Sequence, residues 1–147
     1  PSSGRTGLNE GYRMATEHQA DAPARSGPRI LAVEDEYLVA RHLCRLIREI
    51  GGEPLGPAPD VAGARGVIAG RTVDVALLDI KLGEASVFAL ADELIARGVP
   101  IVFVTGYERG HLPARFADRP LLEKPVKAAN LARAVEQALP SVAESTA

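Results

Sequence analysis

The chain reads as an α/β domain, a three-layer sandwich in which a mostly parallel five-stranded sheet lies between helices. Three observations predict it. Short apolar runs alternate with stretches of helical period from Arg29 onward. The run VDVALLDI, Val73 to Ile80, has Val or Leu at four of its first six positions, too hydrophobic for a half-exposed strand and suited to a central parallel strand buried on both faces. Polar residues fit for chemistry stand at the carboxyl end of one run after another, the edge at which open α/β sheets bind ligands.

In order, RILAV (Arg29 to Val33) is the first strand, and it runs into Glu34, Asp35 and Glu36. Val39, Leu43, Leu46, Ile47 and Ile50 follow at helical spacing until Gly51-Gly52 stops the helix. Glu53 to Ala58 is a weak second strand. Its Pro54 and Pro57, with Pro59 just beyond, place it at an edge, because proline cannot donate to a ladder. Asp60 is the expected N-cap of a helix over Val61 to Ala69. The third strand is VDVALLDI, with Asp79 at its exit. Past Gly83, the residues Val87, Leu90, Ala91, Leu94 and Ile95 make a helix face that Gly98 closes. IVFVT (Ile101 to Thr105) is the fourth strand. Tyr107 to Pro120 has no clean period, holds Gly110, Pro113 and Pro120, and predicts at best one poor helix near Ala114. Leu121 to Glu123 is a brief fifth strand, and Lys124-Pro125 leads into a last helix with Leu131, Val135, Ala138 and Leu139.

A length of 147 residues fits one domain, and 46% hydrophobic residues suffice for its core. A net charge of −2 leaves no electrostatic footprint for nucleic acid or an anionic membrane. No apolar run approaches the roughly 18 residues of a membrane helix, and no signal peptide is evident. Cys44 alone cannot form an internal disulfide, so a cytoplasmic location is expected, with Cys44 a small core residue. Residues 1–28, rich in Ser and Gly, read as a flexible tail. Met14, the sole methionine, suggests that native coding starts there and that residues 1–13 derive from an expression vector; a chain cut from a longer protein would look the same. Residues 29–139 form the folded domain and 140–147 a C-terminal tail, too short for an output domain.

On this scaffold the acidic cluster follows strand one, Asp79 ends strand three, Thr105 ends strand four and Lys124 follows strand five. Taken alone, Asp79 is more simply a residue that caps the next loop. Four polar groups at corresponding strand ends need a common cause. Carboxylates about 4 Å apart repel by roughly 4 kcal/mol per pair at an effective dielectric near 20. A hard dication such as Mg²⁺ relieves that crowding and leaves a face open for a phosphate oxygen. Lys124 would be a second counter-charge, Thr105 a hydroxyl donor, and the small Gly106 leaves room for a bulky anion. These are the parts needed to accept a phosphoryl group in line on a carboxylate.

The set Glu34-Asp35, Asp79, Thr105 and Lys124-Pro125, with 79 − 35 = 44 positions between Asp35 and Asp79, resembles the receiver domain of bacterial two-component response regulators. The resemblance covers about residues 28–139 and implies a flavodoxin-like fold with parallel strand order 2-1-3-4-5. It implies that Asp79 is the phospho-acceptor. Mg²⁺ or Mn²⁺ would be held directly by Asp35, through water by Glu34, and by Asp79 and the Lys81 backbone carbonyl. Thr105, Gly106 and Lys124 would surround the phosphoryl oxygens, the Lys124-Pro125 bond would be cis, and Glu36 would face solvent at the helix start. The partners implied are a sensor histidine kinase or histidine phosphotransfer protein and a downstream protein, with neither nucleic acid nor membrane. Such a receiver assists its own phosphorylation and dephosphorylation but is no conventional enzyme.

Departures from the family pattern are informative. Three places before the lysine, where receivers usually carry an aromatic switch residue, stands Leu121. The loop after Asp79 reads LGEASVF and lacks the common Pro-Gly. FVTGY, Phe103 to Tyr107, resembles the Phe-Ala-Thr-Gly-Tyr signature of a subgroup often found as stand-alone proteins, with Val104 replacing Ala. Tyr107 becomes the candidate switch aromatic, an exposed loop tyrosine being the alternative. The fourth helix of the fold is expected to be degenerate, and Tyr107 to Pro120 to be loose without phosphate and ordered with it. A small-molecule hydrolase working through an aspartyl-phosphate is the first alternative, but it needs an acid two residues after the nucleophile, where Lys81 stands. A degenerate receiver that only binds is the second; such copies lose an acid, the acceptor or the lysine, all present here. His18, His42 and His111 lack metal spacing. Arg41, Arg45 and Arg48 near Glu49 read as a solvated basic stripe, with kinase contact as the other reading.

Overall fold

The computed structural model describes residues 27–82, 84–106 and 112–140, Glu84 and Ala85 by their backbone alone. The expectations for residues 1–26 with Met14 and His18, for Gly83, for Tyr107, Gly110 and His111, and for 141–147 lie outside the described residues. Strands β1 (Arg29–Val33), β2 (Glu53–Ala58), β3 (Val75–Asp79), β4 (Ile101–Thr105) and β5 (Leu121–Glu123) form one parallel sheet in the order β2-β1-β3-β4-β5. Helices α1 (Tyr37–Glu49), α2 (Val61–Gly70), α3 (Glu84–Ala96) and α4 (Ala128–Ala138) complete the flavodoxin-like sandwich.

Alternate residues of a strand point to opposite faces, and here both faces are covered. Ile30, Ala32, Val75, Leu77, Val102 and Val104 pack with Leu43, Ile47, Leu131 and Val135 of α1 and α4. Leu31, Val33, Ala76, Leu78 and Phe103 pack with Ala64, Val87, Leu90 and Leu94 of α2 and α3. Every residue of β3 and β4 is therefore buried. β2 is an edge strand, as its prolines require.

Glycines end two of the helices. Gly51 and Gly98 take φ of 90° and 81°, and the residue after each donates back into the last turn, Gly52 to Ile47 O at 2.8 Å and Val99 to Leu94 O at 2.9 Å. The Asp60 side chain accepts from Gly63 N at 2.7 Å and starts α2, which runs one residue past the expected end. The third strand is shorter than VDVALLDI. Asp74 donates its N–H to Arg29 O at 2.8 Å and turns its carboxylate onto Arg29 N at 2.7 Å, so its side chain takes the β1 donor at the start of the strand.

Among the described residues, the β4–β5 connection holds one 3-10 turn, Ala114–Phe116, and no α-helix. Phe116 is 1% exposed. Its ring centroid lies 5.2 Å from that of Phe103 and 5.6 Å from that of Phe88, and those two are 6.0 Å apart. The weak period of this stretch suggested few buried contacts, yet one aromatic anchors it. Among the described residues no helix is long and apolar enough to cross a membrane.

Candidate functional site

Parallel register assembles the site. Val33 pairs with Leu78, Asp79 with Val104, and Thr105 with Glu123. Glu34 one residue past β1, Asp79 at the end of β3, Thr105 at the end of β4 and Lys124 one residue past β5 thus share the carboxyl edge of the sheet.

Backbone groups hold each side chain there. Glu34 N donates to Ala58 O at 2.9 Å, and Glu36 N donates to Glu34 Oε2 at 3.0 Å, folding that carboxylate inward. Lys81 N donates to Asp79 Oδ1 at 3.0 Å. Lys124 N donates to Thr105 O at 2.8 Å, extending the β4–β5 ladder to the lysine. The Lys124 ammonium reaches Asp79 Oδ2 at 3.3 Å and lies 3.0 Å from Glu34 Oε1. Glu34 and Asp79 are 2% and 1% exposed, Thr105 is equally buried, and Asp35 is open to solvent.

Oxygens of Glu34, Asp35 and Asp79 lie within 4.8 Å of one another. At an effective dielectric of 20, like charges at that distance repel by on the order of 3 kcal/mol per pair. Among these four described groups, one ammonium against three carboxylates leaves a formal −2. Burial lifts the Glu34 carboxyl to about 7, with Asp79 adding to the rise and Glu36 N and Lys124 opposing it. Burial also works against the Lys124 charge, but its carboxylate partners outweigh burial and hold the ammonium above its usual range.

The donor set fits a hard dication. All three groups offer carboxylate oxygen, and among the described residues buried Glu34 Oε1 receives no directed hydrogen bond: the Lys124 approach has the distance of an ion pair but not the angle of a hydrogen bond. Mg²⁺ or Mn²⁺ matches such a cup, and zinc, which favours nitrogen and sulfur, does not.

The structure brings Glu34, Asp35, Asp79, Thr105 and Lys124 to one place, with Lys81 attached through its backbone. Among the described residues, a Cβ at Gly106 would meet no atom within 4 Å, which leaves space beside Thr105. The Lys124-Pro125 bond is cis. Glu36 is exposed and engages the site only through its N–H. Leu121 is half-buried against the α2–α3 core, and Tyr107 lies outside the described residues. The sequence marks Lys124 as a counter-charge to the acids, and it is one; that its ammonium lies nearer Glu34 than Asp79 has no local signal.

No family model matches the chain. The transcriptional regulatory protein PdtaR of Mycobacterium tuberculosis is 30% identical over 131 residues, 86% of this chain and 64% of that protein. The chain spans 64% or less of the length of the curated relatives it matches. Among solved structures, SdrG from Sphingomonas melonis Fr1 is 35% identical, with a TM-score of 0.68 over 77% of this chain and 97% of that one. The signal receiver domain of a modulated diguanylate cyclase from Desulfovibrio desulfuricans is 31% identical, with a TM-score of 0.68 over 76% and 93%.

Proposed function

The chain belongs to the response regulator receiver domains, and from that premise we propose that it takes a phosphoryl group from a phosphohistidine onto Asp79. The observation that carries this is Asp79 itself: a buried carboxylate at the end of the central strand, facing an ammonium at 3.3 Å and two further acids within 4.8 Å. One Asp79 oxygen attacks phosphorus, the new O–P bond forms as the N–P bond breaks, and the released imidazole takes up a proton. Lys124 and the Thr105 hydroxyl receive the phosphoryl oxygens, with Gly106 leaving them room. Asp35 and Asp79 would hold Mg²⁺ or Mn²⁺ directly, Glu34 through water and Lys81 through its carbonyl. When bound, the dication neutralises charge on the acids and on the phosphoryl oxygens.

The phosphodonor is a sensor histidine kinase or histidine phosphotransfer protein in the cytoplasm. Tyr37 and Leu38, large apolar side chains exposed at the start of α1 beside Asp35, support a docking face for it. Output goes through contact with a downstream protein. The FVTGY sequence supports membership of the Phe-Ala-Thr-Gly-Tyr subgroup, with Tyr107 as its switch aromatic.

Incubation with phosphoramidate and Mg²⁺, or with the cognate kinase, should add one acid-stable, base-labile phosphoryl group. Asp79→Asn should take up none; full labelling of that variant would overturn the reading.

A further inference from the structure

We propose that His42 is a positioning residue that ties the Lys124 loop to α1, so that the ammonium and the acids of the first loop keep one spacing. The inference deepens the phospho-acceptor reading and rests on it.

His42 lies mid-way along α1, half-buried, with both ring nitrogens engaged. Nε2 is 3.2 Å from Val126 O. A carbonyl only accepts, so Nε2 carries the hydrogen. Nδ1 is 3.0 Å from an Arg45 guanidinium nitrogen. A guanidinium only donates, so Nδ1 presents its lone pair. Two one-way partners therefore fix a neutral ring in the Nε2–H tautomer.

Val126 comes two residues after Lys124 and is buried in the α1–α4 core. The Lys124–Val126 segment is thus held at its start by Lys124 N on Thr105 O and at its end by His42. α1 in turn follows directly from Glu34, Asp35 and Glu36. One side chain links the element that carries the acids to the loop that carries the ammonium, 84 residues apart where it bonds. A histidine that only filled space would need neither polar partner. Reacting groups must hold their spacing to a fraction of an ångström, which makes such a link matter to the transfer step.

The test compares the full chain with His42→Leu, which keeps helix propensity and bulk but loses the donor, and with His42→Gln, which keeps an N–H near the Nε2 position. Phosphoramidate with Mg²⁺ is the phosphodonor, which leaves kinase docking out of the comparison. Loss of one hydrogen bond should slow labelling of Asp79 roughly threefold to tenfold in His42→Leu. His42→Gln should recover most of that rate, with all three proteins compared at saturating Mg²⁺. Nitrogen-15 NMR should show His42 as the neutral Nε2–H tautomer. Equal rates in wild type and His42→Leu, no recovery with Gln, or an Nδ1–H tautomer would each overturn the inference. Wild-type protein that takes no phosphate on Asp79 would sink the phospho-acceptor reading instead, and the tautomer would still decide the tie between His42 and Val126.

Discussion

The Lys124 ammonium lies nearer to Glu34, at 3.0 Å, than to the strand-end Asp79, at 3.3 Å. The lysine is thus held between two buried acids and leans toward the one in the first loop. Removing it leaves Glu34 buried without a counter-charge. Lys124→Ala should therefore cost the metal-free protein about 3 kcal/mol, the low end for a broken buried pair because Glu34 can take up a proton. Saturating Mg²⁺ should shrink that loss, since a dication supplies the missing charge. Urea unfolding with chelator and with Mg²⁺ measures both; an equal loss in the two would show that metal and lysine do not serve the same acids.

Glu34 also sets a pH dependence. Its carboxyl rises from 4.5 to about 7 on folding, chiefly through burial. Between those values the folded protein keeps a proton that the unfolded chain has released, so stability falls as pH rises. The contribution is fully present below 4.5 and lost by the time pH passes about 7. In metal-free protein, the urea midpoint should decline across this window more steeply than in Glu34→Gln. Parallel profiles would contradict the assignment. Lys124, held above its usual range, loses its own contribution only as pH rises through its folded value in alkali.

Phe116 anchors the β4–β5 connection beneath the strand that ends at Thr105. Phe116→Ala removes a ring packed on Phe88 and Phe103 and should cost about 3–5 kcal/mol. Arg115, its neighbour, pairs with Asp92 at 2.9 Å and stacks on the Phe116 ring at 4.5 Å, but both members of the ion pair are exposed. Water and salt screen such a pair, so Arg115→Ala should barely move the midpoint. Similar losses for the two variants would mean that the aromatic trio does not hold this connection.

The difference between what could and could not be read beforehand is physical. A parallel sheet puts every strand's carboxyl end at one edge, so chain order alone places Glu34, Asp79, Thr105 and Lys124 together. Proline chemistry likewise marks β2 as an edge, and Gly51 and Gly98 mark helix ends. That the Lys124 ammonium leans toward Glu34, 124 − 34 = 90 positions away, and not toward Asp79 is a matter of side-chain geometry that leaves no local trace. Phe116 has no periodic partners in its own segment, and its packing comes from α3 and β4. Asp74 reads as a strand residue because the turn of its carboxylate back onto Arg29 N is a tertiary contact with no local signal.

Metal affinity tests the cup most directly. Asp35 is the solvent-facing member of the three acids, placed to meet an incoming ion without first giving up a buried partner. Loss of its carboxylate halves the formal charge of the edge from −2 to −1 and removes an oxygen donor, so Asp35→Ala should weaken Mg²⁺ binding by roughly tenfold or more. Asp35→Asn keeps an oxygen but not the charge and should fall between. Glu34 must shed a proton before it can serve a cation, so wild-type affinity should rise as pH passes through about 7, and Glu34→Gln should remove that rise. Mg²⁺ titrations followed by tyrosine fluorescence or amide shifts separate the two roles. Undiminished affinity in Asp35→Ala would place the ion elsewhere, and a pH profile unchanged by Glu34→Gln would take Glu34 out of the cup.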